Sequence, residues 1–135
     1  MIRNRLLPGM AVVFLLLSGC VQQPAAPTMT EAGRYLVYFD EFSARITDDA
    51  KGIIANAAAQ ARQVGARAIR IEGRASATGS AAANQALTET RTQVVYDQLQ
   101  QDGVDPTIIQ QQPLGQATTT DTSVSDRRVD IVLLR

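Results

Sequence analysis

Adjacent acidic residues are the first feature of the sequence that could do chemistry, because two close carboxyl groups can divide the acid and base roles between them. They occur as Asp40-Glu41 and Asp48-Asp49. A structural role accounts for both pairs without catalysis. The first pair follows a predicted strand, and the second begins a predicted helix, whose N-terminus favours negative charge. The 135-residue chain contains no histidine, which removes the usual base for a serine or cysteine nucleophile. We therefore predict that the protein is not an enzyme.

Phosphate, zinc and nucleic acid are also disfavoured as ligands. The glycines within residues 73–80 lack P-loop spacing and no lysine follows them. The absence of histidine removes the histidine-containing zinc sites. The 13 basic residues equal the 13 acidic residues in number and are scattered along the chain, which argues against nucleic acid as the main partner. We expect no cofactor, no metal and no nucleic-acid partner.

The first 19 residues have the layout of a secretory signal. Arg3 and Arg5 precede an apolar run over residues 10–17, which is far shorter than the ~20 residues that cross a bilayer as a helix. The motif Leu17-Ser18-Gly19-Cys20 resembles the lipobox of bacterial lipoproteins. The resemblance implies cleavage before Cys20 and a diacylglyceryl group on its thiol. An ordinary cleaved signal, or a buried core cysteine, would explain the same residues without an anchor.

Acyl chains such as palmitate on Cys20 would hold the protein to a membrane, because each buried methylene contributes about 0.8 kcal/mol. Val21 stands where an Asp would resemble the inner-membrane retention signal of enteric bacteria, so we expect lipid anchoring in the outer membrane. Residues 20–33 contain two prolines and no apolar period, which predicts a tether. A single domain is then predicted over residues 34–135, facing the periplasm.

Periodicity predicts the elements in the first half of this domain. Residues 35–39 are aromatic and β-branched, and residues 68–73 alternate apolar and charged side chains, so both segments are predicted strands. Between them, Thr47 can cap a helix that runs to Val64 and ends at Gly65. Its apolar residues recur at helical spacing, which predicts that one face packs on the strands.

A second helix is predicted from the N-cap Ser80 to Gln101. Its buried stripe is predicted to consist of Leu87, Val95 and Leu99, with Ala83 and Thr92 between them. Asn84, Thr88 and Arg91 are predicted to lie near the edge of that stripe. Residues 108–112 are a weaker strand candidate, residues 116–125 a Thr/Ser-rich loop, and residues 129–134 a clear strand. The β-α-β-α-β-β order predicts an α+β fold with two helices packed on one face of a mixed β-sheet.

This frame resembles the OmpA-like domain, which peptidoglycan-associated lipoproteins and flagellar stator proteins share. The resemblance is carried, in order, by Val37-Tyr38-Phe39-Asp40, by residues 69–73 with Gly79-Ser80, by residues 84–91 and by residues 126–131. Residues 84–91 are similar to the family's Asn-x-x-Leu-Ser-x-x-Arg, and residues 126–131 to its Asn-Arg-Arg-Val-Glu-Ile. The resemblance spans roughly residues 35–134 and implies the OmpA-like fold.

The resemblance also implies a non-covalent site for the peptide stem of peptidoglycan, where a loop Asp and a helix Arg grip diaminopimelate. Such a ligand needs an anionic acceptor for its ammonium and a guanidinium for its carboxylate. Arg91 matches the helix Arg, and an edge position would aim it at the loop after the second strand. Ser76 stands where the loop Asp belongs, and Arg74 adds a positive charge that would repel an ammonium. The candidate ligand-binding residues are therefore Arg91, Ser76, Asn84 and Arg128.

Two functions follow from these residues. The first is an outer-membrane lipoprotein that binds diaminopimelate-containing stems and anchors the envelope to the cell wall. The second is a degenerate OmpA-like module that has lost peptidoglycan and serves as a protein-interaction component of an envelope or secretion assembly, as Ser76 and Arg74 suggest. Arg91 as a solvated or bracing residue, and Arg128 as part of a structural pair with Arg127, remain open alternatives.

Overall fold

Four strands and two helices follow one another in the order that the sequence predicts. The computed structural model describes residues 28–116 and 126–135. The elements are β1 (Glu31–Tyr38), α1 (Asp48–Val64), β2 (Ala68–Ala75), α2 (Ala81–Gln101), a short 3-10 turn (Pro106–Ile108), β3 (Ile109–Gln116) and β4 (Arg128–Leu134). The predicted signal, Cys20, residues 20–27 of the predicted tether and residues 117–125 of the predicted loop lie outside the described residues.

The four strands form one mixed sheet in the order β1-β4-β2-β3. β4 is antiparallel to both β1 and β2, and β2 is parallel to β3. β4 is therefore an inner strand, and every residue from Val129 to Leu134 is buried. Side chains at alternate positions, such as Ile131 and Ile71, pack with Ile54 and Leu99 of the two helices in the main core. The predicted α+β fold class is confirmed.

Local capping signals place the ends of both helices where the sequence predicts them. The hydroxyl of Thr47 accepts a hydrogen bond of 3.2 Å from the amide of Ala50, and Asp48 and Asp49 occupy the first turn of α1. Gly65 ends α1 in the left-handed conformation, with φ of +62°, which glycine adopts without steric cost.

No helix in residues 28–116 or 126–135 is both long and apolar enough to cross a membrane.

Strand boundaries differ from the predictions because strand pairing extends them. β1 begins at Glu31, so the last three residues of the predicted tether lie in the sheet, where Glu31 pairs with Leu134. β2 continues through Arg74 and Ala75, which the sequence placed in a loop, because Ala75 pairs with Gln116. β3 is likewise longer than the predicted residues 108–112.

The buried face of α2 is the main departure from the predicted fold. Asn84, Thr88 and Arg91 are buried rather than at the edge, whereas Ala83 is exposed and Leu87 only half-buried. Within the predicted five-residue stripe, the full burial of Ala83 and Leu87 is therefore wrong, whereas Thr92, Val95 and Leu99 are buried as predicted.

Close approach of α2 to β2 explains which residues of the helix are buried. A Cβ atom on Gly73 would lie 2.7 Å from Cγ2 of Thr92 and 3.1 Å from the carbonyl oxygen of Thr88, so the helix rests directly on the strand backbone. The hydroxyls of Thr88 and Thr92 donate to the helix carbonyls of Gln85 and Glu89 at 2.8 and 3.0 Å. These bonds allow polar threonines to be buried without losing a hydrogen-bond partner.

Candidate functional site

Arg91 lies at the centre of the candidate site, where α2 meets the end of β2 and the loop between β1 and α1. Its side chain is fully buried. Nε donates to the carbonyl oxygen of Ser43 at 2.8 Å, Nη2 to that of Asp40 at 2.9 Å, and Nη1 to that of Arg74 at 3.3 Å. The guanidinium carbon lies 5.1 Å from the centre of the Phe39 ring. Arg91 thus ties the loop after β1 to the end of β2.

The charge of Arg91 is compensated by backbone dipoles and an aromatic ring, since its hydrogen bonds within residues 28–116 and 126–135 go to backbone carbonyls. Burial lowers the pKa of the guanidinium from its ordinary value, and repulsion from the nearby Arg127 lowers this pKa further. An arginine nevertheless remains protonated in a protein, so Arg91 stays a buried cation. The face of the Phe39 ring attracts such a cation.

The Arg91 side chain points toward the end of β2, as the sequence predicted, but it is buried and not at the predicted edge position. The guanidinium does reach the end of β2, as expected for a residue aimed at the loop that follows. It does not lie at a rim open to solvent, because the whole side chain is buried. The signal for this bracing role is the irregular segment 40–43, whose carbonyls need donors that a strand or helix does not supply.

Ser76 and Asn84 both form hydrogen bonds to Thr78, a residue that the sequence analysis did not single out. The hydroxyl oxygens of Ser76 and Thr78 lie 2.9 Å apart, and Nδ2 of Asn84 donates to the carbonyl oxygen of Thr78 at 3.0 Å. Both Ser76 and Asn84 are buried. Next to them, the hydroxyl of Ser80 caps α2 by accepting from the amide of Ala83 at 3.1 Å. These bonds fix the loop between β2 and α2 beside Arg91.

Arg128 and Arg74 are not brought into this site. Nε of Arg128 donates to Asp130 at 2.7 Å, and Nη2 of Arg74 lies 3.8 Å from Glu72. All four residues occupy alternate positions of β4 and β2, opposite in direction to the core residues Val129 and Ile71, so their side chains lie on the sheet face away from the helices. The Arg74 side chain approaches Glu72 on that face, and it is the Arg74 carbonyl that contacts Arg91, so the expected repulsion of an ammonium beside Ser76 stays a prediction.

The loop between β1 and α1 is the exposed part of the site. Phe42 has a positive φ of 54°, a conformation that costs energy for a bulky residue, and 69% of its surface is exposed. A cavity of about 380 Å³ opens beside this loop, with Arg45, Ile46 and Asp97 among its lining residues. The loop held by Arg91 therefore presents an aromatic ring and charged groups to solvent.

Comparison with solved structures identifies similar folds. The OmpA-like domain of FopA1 from Francisella tularensis subsp. tularensis SCHU S4 superimposes with a TM-score of 0.66 at 20% identity, over 75% of this chain and 71% of that one. The peptidoglycan-associated lipoprotein from Burkholderia pseudomallei gives a TM-score of 0.63 at 24% identity, over 75% and 90% of the two chains. The C-terminal domain of Helicobacter pylori MotB gives 0.61 at 20% identity, over 74% and 83%.

Sequence comparison gives a direct family assignment. No curated protein matches the chain. The model of the OmpA family, in contrast, matches residues 38–129, which extend from the end of β1 to the start of β4 and include Ser76, Asn84 and Arg91. Because this match covers more than half of the chain and agrees with the fold, the protein belongs to the OmpA family.

Proposed function

We propose that the protein is a non-catalytic envelope lipoprotein whose domain binds peptidoglycan peptide stems and so anchors the envelope to the cell wall. Family membership supports this proposal, and one of the similar structures is that of a peptidoglycan-associated lipoprotein. The observation that carries it is that Arg91 reaches the Arg74 carbonyl at the end of β2, next to the loop in which Ser76 and Asn84 of α2 both bond to Thr78. The predicted lipid on Cys20 would attach the domain to the outer membrane.

A stem carboxylate would bind Arg91 by replacing one of its backbone acceptors. The bond to the Arg74 carbonyl is the longest of the three, at 3.3 Å, so it is the first that a ligand carboxylate would exchange. The two shorter bonds would keep the loop of residues 40–43 in place. A bound carboxylate would also supply the negative charge that the buried guanidinium lacks.

The ammonium of the stem would meet Ser76, whose hydroxyl is neutral. A hydroxyl can accept a hydrogen bond from an ammonium but brings no opposite charge to attract it, so we expect weaker binding than a carboxylate at this position would give. Displacing the Ser76 hydroxyl from Thr78 would also cost the 2.9 Å bond between them. The proposed affinity is therefore modest, and Ser76 limits it.

Sedimentation with purified sacculi tests this function. The wild-type chain should bind. Ser76→Asp should bind roughly ten-fold tighter, because the added negative charge attracts the stem ammonium and a gain of about 1.4 kcal/mol in binding free energy corresponds to a factor of ten. Arg91→Lys should bind more weakly while its circular dichroism spectrum is unchanged. Thr90→Asp is the matched control, since it adds the same charge on the exposed side of α2 and should leave binding unaltered. Absence of binding by both the wild type and Ser76→Asp would end the proposal.

A second function is favoured by the closure of the site. The three hydrogen bonds that Arg91 makes within the described part of the chain go to backbone, and the Ser76 hydroxyl bonds to Thr78, so both groups already have partners that a zwitterionic ligand would have to replace. The domain would then be a protein-interaction module of an envelope or secretion assembly. Sacculus binding that appears only after Ser76→Asp, and not with the wild type, would select this second function.

The proposed anchor has its own test. Mass spectrometry of the mature protein should find a chain that starts at Cys20 and carries added diacylglyceryl and acyl mass, and Cys20→Ser should abolish the addition. A mature chain with an unmodified cysteine, whether cleaved or intact, would contradict lipid anchoring but would leave the sacculus experiment unaffected.

A further inference from the structure

The sheet face away from the helices carries arginines that lie over two buried carboxylates. Asp130 and Glu72 are directly paired across β4 and β2, and their side chains are only 2% and 12% exposed. Around them, arginines come from three strands and have side-chain exposures between 24% and 38%: Arg34, Arg70, Arg74 and Arg128. Solvent above Asp130 and Glu72 therefore meets guanidinium groups, while these two carboxylates lie beneath them.

Arg74 is the arginine on this face whose charge is least satisfied. Arg70 and Arg128 contact their carboxylates at 2.6 and 2.7 Å, and Arg34 contacts Asp130 at 2.9 Å. Arg74 reaches Glu72 only at 3.8 Å. Its Nε is buried and has no hydrogen-bond acceptor among the described residues, although the side chain as a whole is 38% exposed. The Nη donors of this partly exposed side chain, rather than the buried Nε, are therefore the ones that a carboxylate from outside can reach.

Two of the exposed large apolar side chains stand in the same row of the sheet as Arg74. Tyr38 of β1 pairs with Arg128, and Arg74 and Leu114 follow Gly73 and Pro113, which pair with each other. Because Gly73 also pairs with Val129, the row one step further along the sheet contains Tyr38, Arg128 and Arg74, with Leu114 beside Arg74 where the register between β2 and β3 shifts. Tyr38 and Leu114 are 44% and 48% exposed. Two guanidiniums thus lie between an aromatic and an aliphatic side chain.

We propose that this row, which we call the outer row, docks an extended acidic protein segment with a carboxylate between two apolar side chains. Three strand spacings separate Tyr38 from Leu114, which is about 14 Å at ~4.8 Å per strand. Residues four positions apart in an extended chain span about 13 Å. Apolar residues at positions one and five can therefore contact Tyr38 and Leu114, while a Glu at position three meets Arg74 in the geometry that guanidinium and carboxylate prefer.

The chemistry of the face favours a protein segment over a lipid surface. Anionic membranes are recognised by clusters of about four to eight basic residues. On this face Glu31, Glu72 and Asp130 offset most of the charge of the four arginines, because Arg34 is paired with Glu31 at 3.0 Å as well as with Asp130. One unsatisfied guanidinium flanked by an aromatic and an aliphatic residue is instead the composition of a protein interface.

The test is a titration of the full chain in neutral detergent with the peptide Ser-Leu-Ser-Glu-Ser-Leu-Ser, followed by the NMR signal of Arg74 Nε. We expect this signal to shift, and we expect at least five-fold weaker binding for the same peptide with Gln in place of Glu. Arg74→Gln should weaken binding at least five-fold, whereas Arg45→Gln should not. Arg45 is the matched control, since it also has an ion pair of only 3.7 Å and lies outside the outer row.

Three outcomes would overturn the proposal. These are absence of peptide binding, equal binding of the Glu and Gln peptides, and an equal shift of Arg74 Nε by phosphatidylglycerol added to the micelles, which would assign the face to lipid. Sacculus binding by Arg74→Gln should equal that of the wild type, because the variant keeps the carbonyl that contacts Arg91. The outer row and the peptidoglycan site can therefore fail independently.

Discussion

Arg91 shows how one side chain can serve both the fold and a binding site. It is a fully buried cation that donates to the backbone carbonyls of Ser43, Asp40 and Arg74, so its desolvation is offset by dipoles and by the Phe39 ring. The same contacts hold the loop that exposes Phe42. Any ligand that uses Arg91 must therefore compete with the structure that positions it.

Arg91→Met should lower the free energy of unfolding by about 3 kcal/mol, because each buried acceptor that loses its donor costs about 1–3 kcal/mol and water can replace some of the donors. The stability of Arg91→Lys should fall between those of the wild type and Arg91→Met, since one ammonium cannot span the carbonyls of Asp40, Ser43 and Arg74. Urea unfolding followed by circular dichroism measures both values. A loss below 1 kcal/mol for Arg91→Met would show that the bracing role is minor.

The family resemblance singled out Asn84, Arg91 and Ser76, and their role in binding a ligand stays a prediction. The structure brings Arg91 to the end of β2 and joins Asn84 to the loop of Ser76 through Thr78. The exposure of Arg91 was not predictable from helical periodicity, because it depends on where the loop of residues 40–43 folds back. The side of the sheet taken by Arg74 became clear only once β2 was seen to extend beyond Gly73.

At the scale of elements, the contact between α2 and β2 depends on the absence of a side chain at residue 73. Gly73→Ala should destabilise the protein by about 1–3 kcal/mol, the usual cost of overpacking, because the new methyl group would lie 2.7 Å from Cγ2 of Thr92. Thr92→Ser removes that methyl group, so the double variant should recover about half of the loss. Thermal or urea unfolding of the two single variants and the double variant checks this.

The rescue is the discriminating part of that experiment. Strictly additive losses in the double variant would place the strain at the Thr88 carbonyl, 3.1 Å from the new methyl group, and not at Thr92. No loss for Gly73→Ala would mean that α2 shifts freely on the sheet.

Helix ends were predictable from sequence where strand ends were not. The capping residues act through hydrogen bonds to residues within four positions, so their effect can be predicted from the local sequence; they are Thr47, Gly65 and Ser80. The ends of β1 and β2 are instead set by Leu134 and Gln116, which are distant in sequence. Non-local pairing of this kind leaves no local signal.

At the scale of the whole molecule, Asp130 joins strands that are far apart in the chain. Its two oxygens accept from Arg34 at 2.9 Å and from Arg128 at 2.7 Å, and its side chain is only 2% exposed. Arg34 also donates to Glu31 and so lowers the pKa of that carboxyl below its ordinary value. The stabilising contribution of Glu31 is therefore present above its unfolded pKa, and it is lost as the pH falls through the lower folded pKa.

Asp130→Asn should lower the free energy of unfolding at pH 7 by about 2 kcal/mol. Breaking a fully buried pair costs about 3–5 kcal/mol, and the partial exposure of both arginines reduces this figure. Asp97→Asn, on the exposed side of α2, is the control and should change stability by less than 0.5 kcal/mol. Equal effects of the two substitutions in urea unfolding would remove the special role of Asp130.

The position of β4 has a consequence for how the molecule is made. The strand between β1 and β2 is the last of the described strands to leave the ribosome, so β1 has no neighbour in the sheet until synthesis of the domain is nearly finished. Closing the sheet joins residues about 100 positions apart, and such distant contacts slow folding. The nascent chain should therefore stay open and accessible to chaperones for longer than a helical protein of equal length.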